Sequence, residues 1–275
     1  MEEFPWDEDE IASVVSVKAN LKLVQEAQRR TNKMKILHEF VPTRKFLRLA
    51  EETKDLVDGW NITDSASGFP APSGIVVSCL LKSKYPNKIV IPIFVLRYKG
   101  SVEVGSLALA SDVIGLDGLA LTMGDVPKYG EPIKMLKSSE EARKFLRTTI
   151  RVKNLKLGCL LSPRQSIEDI IERVRKPWDF VMFMRLEDKT FPSLEKVAKE
   201  CKRLNKPIYA YVLVKTEKNE KVIKMIGWEP TTTFDQAEEF VAKLEGIVDG
   251  IIVTCAGDNE GDKELLRRLQ KFRRK

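Results

Sequence analysis

Glu39 interrupts an otherwise apolar run, Ile36-Leu37-His38-Glu39-Phe40-Val41-Pro42. A carboxyl flanked by Phe40 and Val41 loses hydration, which disfavours its charged form and raises its pKa, suiting it to general-acid chemistry. The competing reading is a strand-end glutamate paired with a cation such as Arg44 or Lys215. Asp125 lies in a loop bounded by Gly124 and Gly130 and containing Pro127. Gly124 lets a ligand approach the backbone, and Asp125 could accept hydrogen bonds from a heterocycle; ordinary turn chemistry is the alternative. A second stiff stretch, Gly68 to Gly74, is either a ligand lid or the entry to a helix. Other polar residues that end apolar runs are Thr63, Asp64, Arg97, Ser162, Arg164, Arg185, Lys215, Thr254 and Asp258.

The elements that would bring these residues together are legible from periodicity. Short β-rich apolar runs begin near Met34, Trp60, Ile89, Leu119, Leu155, Phe180, Ile208 and Ile251, and stretches with helical spacing separate them. Spacings of about 25 to 40 residues match βα units joined by right-handed crossovers. The turns before the runs alternate. Asn and Lys precede the odd ones (Asn32-Lys33, Asn87-Lys88, Asn154, Asn205-Lys206), and Asp, usually with Gly, precedes the even ones (Asp58-Gly59, Asp117-Gly118, Asp179, Asp249-Gly250). Gly and Asn there are expected to take the left-handed conformation that closes a preceding helix. A period of two over eight strands predicts a closed (β/α)8 TIM barrel rather than an open sheet, since barrels fill their interior in layers drawn from alternate strands. One domain over 1–275 is expected, with 1–33 as an additional N-terminal helix (Ile11, Val14, Val15, Leu21, Leu23, Val24) and 34–275 as the barrel. Thr216 to Thr233 is the least regular part and has room for a short extra helix.

Composition narrows the chemistry. Hydrophobic residues make up 43% of the 275, enough for a large core and against global disorder. His38 is the single histidine, so a triad or metal site needing two histidines is excluded. The four cysteines are scattered without a CxxC pair and read as buried thiols. Forty-seven basic against forty acidic residues fit an ion-pair-rich, thermophile-like surface and anionic ligands. The basic end, Arg267 to Lys275, reads first as a solvated last helix and only second as an RNA contact; nucleic acid is not expected as a partner. No run reaches the ~18 apolar residues of a membrane span, and the acidic start does not suit a secretory signal, so a cytoplasmic protein with no membrane partner is expected.

At these residues the sequence resembles the methylenetetrahydrofolate reductase family. Glu39-Phe40-Val41-Pro42-Thr43-Arg44 fits its Glu-Phe-x-Pro-x-Arg motif, and Asn61-Ile62-Thr63-Asp64 is similar to its second-strand segment. Leu119 to Lys128 looks like its strand ending in Gly-Asp-x-Pro, and Asp169 and Lys176 keep the spacing of two FAD contacts. The resemblance implies an FAD-dependent oxidoreductase of one-carbon metabolism, acting on a CH-NH group. It would pass a hydride from NADH or NADPH to a methylenetetrahydrofolate or related pterin. Glu39 would be the acid and Asp125 the residue tuning the flavin. Thr63, Asp64, Gly124, Asp125, Ser162, Asp169 and Lys176 would hold the cofactor. Glu39, Arg97, Met184, Arg185 and Lys215 would meet the folate-like substrate. Ile93, Ser162 and Met184 depart from the family pattern, which opens two further readings. One is a flavin-free pterin reductase or methyltransferase, and the other a non-catalytic barrel subunit. A second copy of the chain or another one-carbon enzyme is the expected protein partner.

Overall fold

All eight apolar runs become strands in a computed structural model that describes residues 34–133, 135–228 and 232–273. The expected helix over 1–33 lies outside the described residues. The strands are β1 (Lys35–Phe40), β2 (Gly59–Ile62), β3 (Ile89–Val95), β4 (Leu119–Thr122), β5 (Leu157–Leu161), β6 (Phe180–Phe183), β7 (Ile208–Leu213) and β8 (Gly250–Thr254). Each pairs in parallel with its neighbours in sequence, and β8 pairs with β1 to close the barrel. The fold is therefore a (β/α)8 barrel, as the alternation of turns predicts. The helices between the strands are α1 (Phe46–Thr53), α2 (Gly74–Lys84), α3 (Ser101–Ile114), α4 (Ser139–Phe145), α5 (Ile167–Arg175), α6 (Phe191–Arg203), α7 (Glu220–Ile226), α8 (Ala237–Ala242) and α9 (Asn259–Arg268).

Strand geometry sends successive side chains to opposite faces, and the burial splits accordingly. Ile36, Phe40, Trp60, Ile62, Phe94 and Leu121 pack outward in a continuous layer with the helices. Leu37, Ile91, Ile93, Ala120, Met182, Tyr211 and Ile252 fill the lumen. Glu39 therefore shares the inner face of β1 with Leu37, and His38 shares the outer face with Ile36 and Phe40.

The aspartates before the even strands have a role that turn chemistry does not suggest. Each carboxylate accepts the N–H at the start of the preceding odd strand: Asp58 from Ile36 (2.8 Å), Asp117 from Val90 (2.8 Å), Asp179 from Leu157 (2.7 Å) and Asp249 from Ile208 (2.9 Å). Arg273, Lys82 and Arg147 pair with the first three at 2.9, 2.8 and 2.6 Å. The neighbouring glycines are also not turn residues. Gly59, Gly118 and Gly250 do not have positive φ; of the asparagines at the odd turns, only Asn205 among the described residues does (φ 56). These glycines make space instead. A Cβ on Gly59 would lie 1.9 Å from the Ile89 carbonyl oxygen, and one on Gly250 would lie 2.8 Å from the Tyr209 ring. Because the obstacle at Gly59 is backbone, Gly59→Ala is expected to cost at least the ~1–3 kcal/mol typical of overpacking. A urea midpoint within error of the parent would refute that.

Among the described residues the basic end is engaged in ion pairs. Arg268 faces Glu264 and Asp235, Lys271 faces Glu238, and Arg273 seals the floor through Asp58 and the Asp55 carbonyl. No helix among the described residues is long and apolar enough to cross a membrane.

Candidate active site at the barrel mouth

A cavity of about 930 Å³ opens where the strands end, the face on which barrels of this kind carry their chemistry. Glu39 projects into it from β1. In the β1–β2 register Glu39 stands opposite Asn61. The Tyr211 hydroxyl of β7 donates to Asn61 Oδ1 at 2.6 Å, and Asn61 Nδ2 donates to the Ile91 carbonyl at 2.6 Å. Tyr211 is buried and lines the cavity, so this chain of bonds fixes one polar hydroxyl close to Glu39. Burial, then the nearby Glu39, pushes the Tyr211 phenol well above its usual pKa.

Glu39 itself is enclosed by protein but keeps part of its surface open to the cavity. Burial raises its pKa from 4.5 to about 8, and the neighbouring Asp262 adds to the shift. The carboxyl is therefore largely protonated at neutral pH, as the apolar flanks suggest. Neither Arg44 nor Lys215 pairs with it among the described contacts.

Behind Glu39, Asp262 of α9 is buried; its Oδ1 accepts the Cys255 N–H at 2.5 Å. Its Oδ2 lies 3.3 Å from His38 Nε2, yet neither ring nitrogen of His38 has hydrogen-bonding geometry to any described group. We read this approach as a close contact of the pair rather than a formed hydrogen bond. Asp258 caps α9 by accepting the Gly261 N–H at 3.1 Å and the Thr216 hydroxyl at 2.9 Å. The positive end of that helix, where many barrels hold phosphate, is thus occupied by the chain's own carboxylates.

The rim alternates as the floor does. Even strands are each followed within three residues by a left-handed residue: Ser65 (φ 49) after β2, Gly124 (φ 75) after β4, Arg185 (φ 53) after β6 and Ala256 (φ 43) after β8. All four line the cavity. Left-handed backbone is costly for residues other than glycine and gathers at functional sites. The loops after β2 and β4 also interlock: the Lys128 N–H donates to the Gly68 carbonyl at 2.9 Å, and the Phe69 and Tyr129 rings meet edge to face. The stretch from Gly68 is thereby part of the mouth rather than a helix entry alone.

Of the residues expected from sequence, Glu39, Thr63, Asp64, Gly124, Asp125, Ser162, Met184 and Arg185 all line this one cavity. Their situations differ. The Asp64 carboxylate is buried and committed to Lys99 at 2.5 Å and to the Val95 N–H at 3.2 Å. Thr63 Oγ1 is buried with no hydrogen-bond partner among the described residues. Asp125 is exposed on the rim, and its carbonyl accepts the Tyr98 hydroxyl at 2.7 Å. Four residues stand away from the cavity. Arg97 donates to the Gly124 carbonyl at 3.2 Å, and Lys215 is exposed in a backbone bridge to Thr233. Asp169 accepts the Ser166 hydroxyl at 2.6 Å in the first turn of α5, whereas Lys176 lies past the other end of that helix, 3.8 Å from Glu172. Sequence reasoning missed Tyr211, Ile226 and Trp228 as wall residues, and Asn61 as the partner that fixes Tyr211. Tyr211 hides in an apolar run, and its only signal is a tyrosine on the same inward parity as Leu213.

No family model matches this chain, and no curated protein matches it. Solved structures do. Tryptophan synthase from M. tuberculosis aligns at a TM-score of 0.58 with 13% identity, covering 90% of this chain and 96% of that one. Tryptophan synthase from the hyperthermophile Pyrococcus furiosus aligns at 0.57 with 11% identity, covering 88% and 98%. KGPDC from Streptococcus mutans aligns at 0.50 with 12% identity, covering 86% and 98%. At such identities the likeness is one of fold.

These findings correct the family resemblance. The matched barrels named above are tryptophan synthase and KGPDC rather than methylenetetrahydrofolate reductases, and no family model matches the chain. The site agrees. The seven residues expected around FAD are divided: five line the cavity, with Asp64 spent on Lys99, while Asp169 and Lys176 stand outside it. The hydride transfer, the oxidoreductase class, the flavin, the NADH or NADPH donor and the folate chemistry are therefore set aside, as are the pterin-based alternatives built on them.

Proposed function

We propose that the chain is an enzyme of the lyase or synthase type, using Glu39 as a general acid on a small molecule held in the barrel mouth. The observation that carries this reading is an enclosed carboxyl, open to the cavity, with no cation partner among the described residues; burial raises its pKa to about 8. A general acid must hold its proton at working pH and release it to an atom whose charge develops in the transition state. Glu39 meets the first condition through burial. For the second, it would protonate a departing oxygen or nitrogen as the bond from carbon breaks and the electron pair leaves with that atom. The Tyr211 hydroxyl already donates to Asn61, so its oxygen is left to accept a hydrogen bond from the ligand. Ile93, Leu160, Met184 and Trp228 supply an apolar wall that excludes water and matches the mixed lining of ligand cavities. The fold shared with tryptophan synthase is compatible with synthase chemistry, but the weight rests on Glu39.

Carboxyl-labelled glutamate followed by carbon NMR across pH 3 to 10 tests it (roughly the span of ordinary carboxyl and phenol titrations). One resonance, absent in Glu39→Gln, should titrate near pH 8. Titration of that resonance in the ordinary carboxylate range would remove the acid.

A further inference from the structure

Arg185, in the cavity wall after β6, and Arg164, exposed just outside the cavity after β5, converge on one carbonyl. Arg185 donates to the Gly227 oxygen at 2.8 Å and to the Ile226 oxygen at 3.3 Å; Arg164 donates to the same Gly227 oxygen at 3.2 Å. The carbonyls belong to the C-terminal end of α7, which carries only a fraction of a negative charge. Several neighbouring arginines have full counter-charges, Arg147 with Asp179, Arg173 with Glu140 and Arg175 with Glu200, at 2.6, 2.9 and 2.7 Å, although Arg97, like Arg185, is held by a backbone carbonyl instead. Among the described residues no carboxylate comes within ion-pair distance of Arg164 or Arg185. Asp125 and Glu187 act on Arg185 only from farther off, and Glu187 is engaged by Lys189 at 2.8 Å and by the Trp228 indole N–H at 2.9 Å.

The placement of Arg185 is also built rather than incidental. Its backbone is left-handed, it lies over the Trp228 ring at 5.6 Å, and it is half-buried in the cavity wall beside Ser162. Burial and the adjacent Arg164 both lower its pKa, which marks two cations held close together without an anion. Helix C-capping by arginine explains one such contact. It does not explain a second cation brought to the same oxygen against repulsion. The helix end that would otherwise take an anion, that of α9, is filled by Asp258.

We propose that Arg185 and Arg164 form an oxyanion-binding site for a carboxylate or phosphate group of the molecule that occupies the cavity. The planar guanidinium forks suit either group. An anion seated there would be held at the β5–β6 edge, with Glu39 reaching the same cavity from β1, so the pair would orient the ligand relative to the acid. Binding of the anion does not depend on Glu39 being the acid.

The test is titration of the whole chain with inorganic phosphate and, separately, with malonate. Sodium chloride keeps ionic strength constant, and tryptophan emission and the thermal midpoint are followed. Saturable binding is expected for at least one anion. It should weaken about tenfold or more in Arg185→Gln and several-fold in Arg164→Gln. It should be unchanged in Lys215→Gln, a cation outside the cavity, and retained in Glu39→Gln. Phosphate alone saturating assigns a phosphoryl group, malonate alone a carboxylate, and mutual competition a shared oxyanion site. Arg164 is exposed, so its substitution reports on binding even where Arg185→Gln disturbs the end of α7. No saturation by either anion, or saturation untouched by both arginine substitutions, overturns the proposal. Loss of anion binding in the arginine variants alone would separate this site from the fate of the Glu39 reading.

Discussion

Lys99→Met is expected to destabilise the chain by about 3–5 kcal/mol, the usual cost of leaving one partner of a buried ion pair alone. Lys99 and Asp64 have side chains only 8% and 5% exposed, with the ammonium 2.5 Å from the carboxylate. The lysine also donates to the Val95 carbonyl at 2.8 Å. Removing it strands Asp64 with a single backbone N–H at 3.2 Å, from Val95. Because Asp64 follows β2 and Lys99 follows β3, the loss unties two loops at the mouth. The measurement is the urea midpoint with the slope unchanged. Adding Asp64→Asn to the same chain removes the stranded charge and should return roughly half of the loss. A single variant as stable as the parent would mean that the pair is solvated.

Glu39→Gln is expected to leave stability nearly unchanged at about pH 3.5 and to raise it clearly at about pH 9 (roughly one unit beyond each end of the window). Glu39 in the folded chain keeps its proton up to about 8, against 4.5 for the ordinary group. Between these values the folded state holds a proton that the unfolded state has released. Stability therefore falls as pH rises through that window, by at most about 1.4 kcal/mol per pH unit, and levels off above it. Solvent reaching Glu39 from the cavity narrows the window, so a total gain of about 2–4 kcal/mol at the alkaline end is the expected size. Glutamine keeps the shape without the ionisation. Equal pH dependence of parent and variant, by thermal or urea unfolding, would show that Glu39 ionises freely in the fold.

Much of the barrel was legible because its signals are local and repeated. The eight runs place every strand start within two residues of its observed position, and the alternating turns predict closure. What the alternation means was not legible: Asp117 reads as a turn residue until its carboxylate is seen on the Val90 N–H, 27 positions back in the chain. The same limit governs the site. Glu39 stands out because a charge in an apolar run is anomalous wherever the chain goes. Asp64 looks equally eligible, and nothing in its neighbourhood tells of Lys99, 35 residues on. Tyr211 and Asn61 meet across 150 residues. Asp169 and Lys176 were chosen on spacing alone, and neither lines the cavity. The short strings that resembled a reductase were real as strings, but they span strand ends that barrels of many chemistries share.

The floor carboxylates divide the barrel into strand couples, β1–β2, β3–β4, β5–β6 and β7–β8, each sealed by an aspartate of its second member. An odd strand without its successor keeps an open N–H at its root, whereas a couple closes its own. The wall therefore has two kinds of seam. Relocating the chain ends between couples would leave all four seals intact, while relocating them within a couple would make one seal bridge the new break.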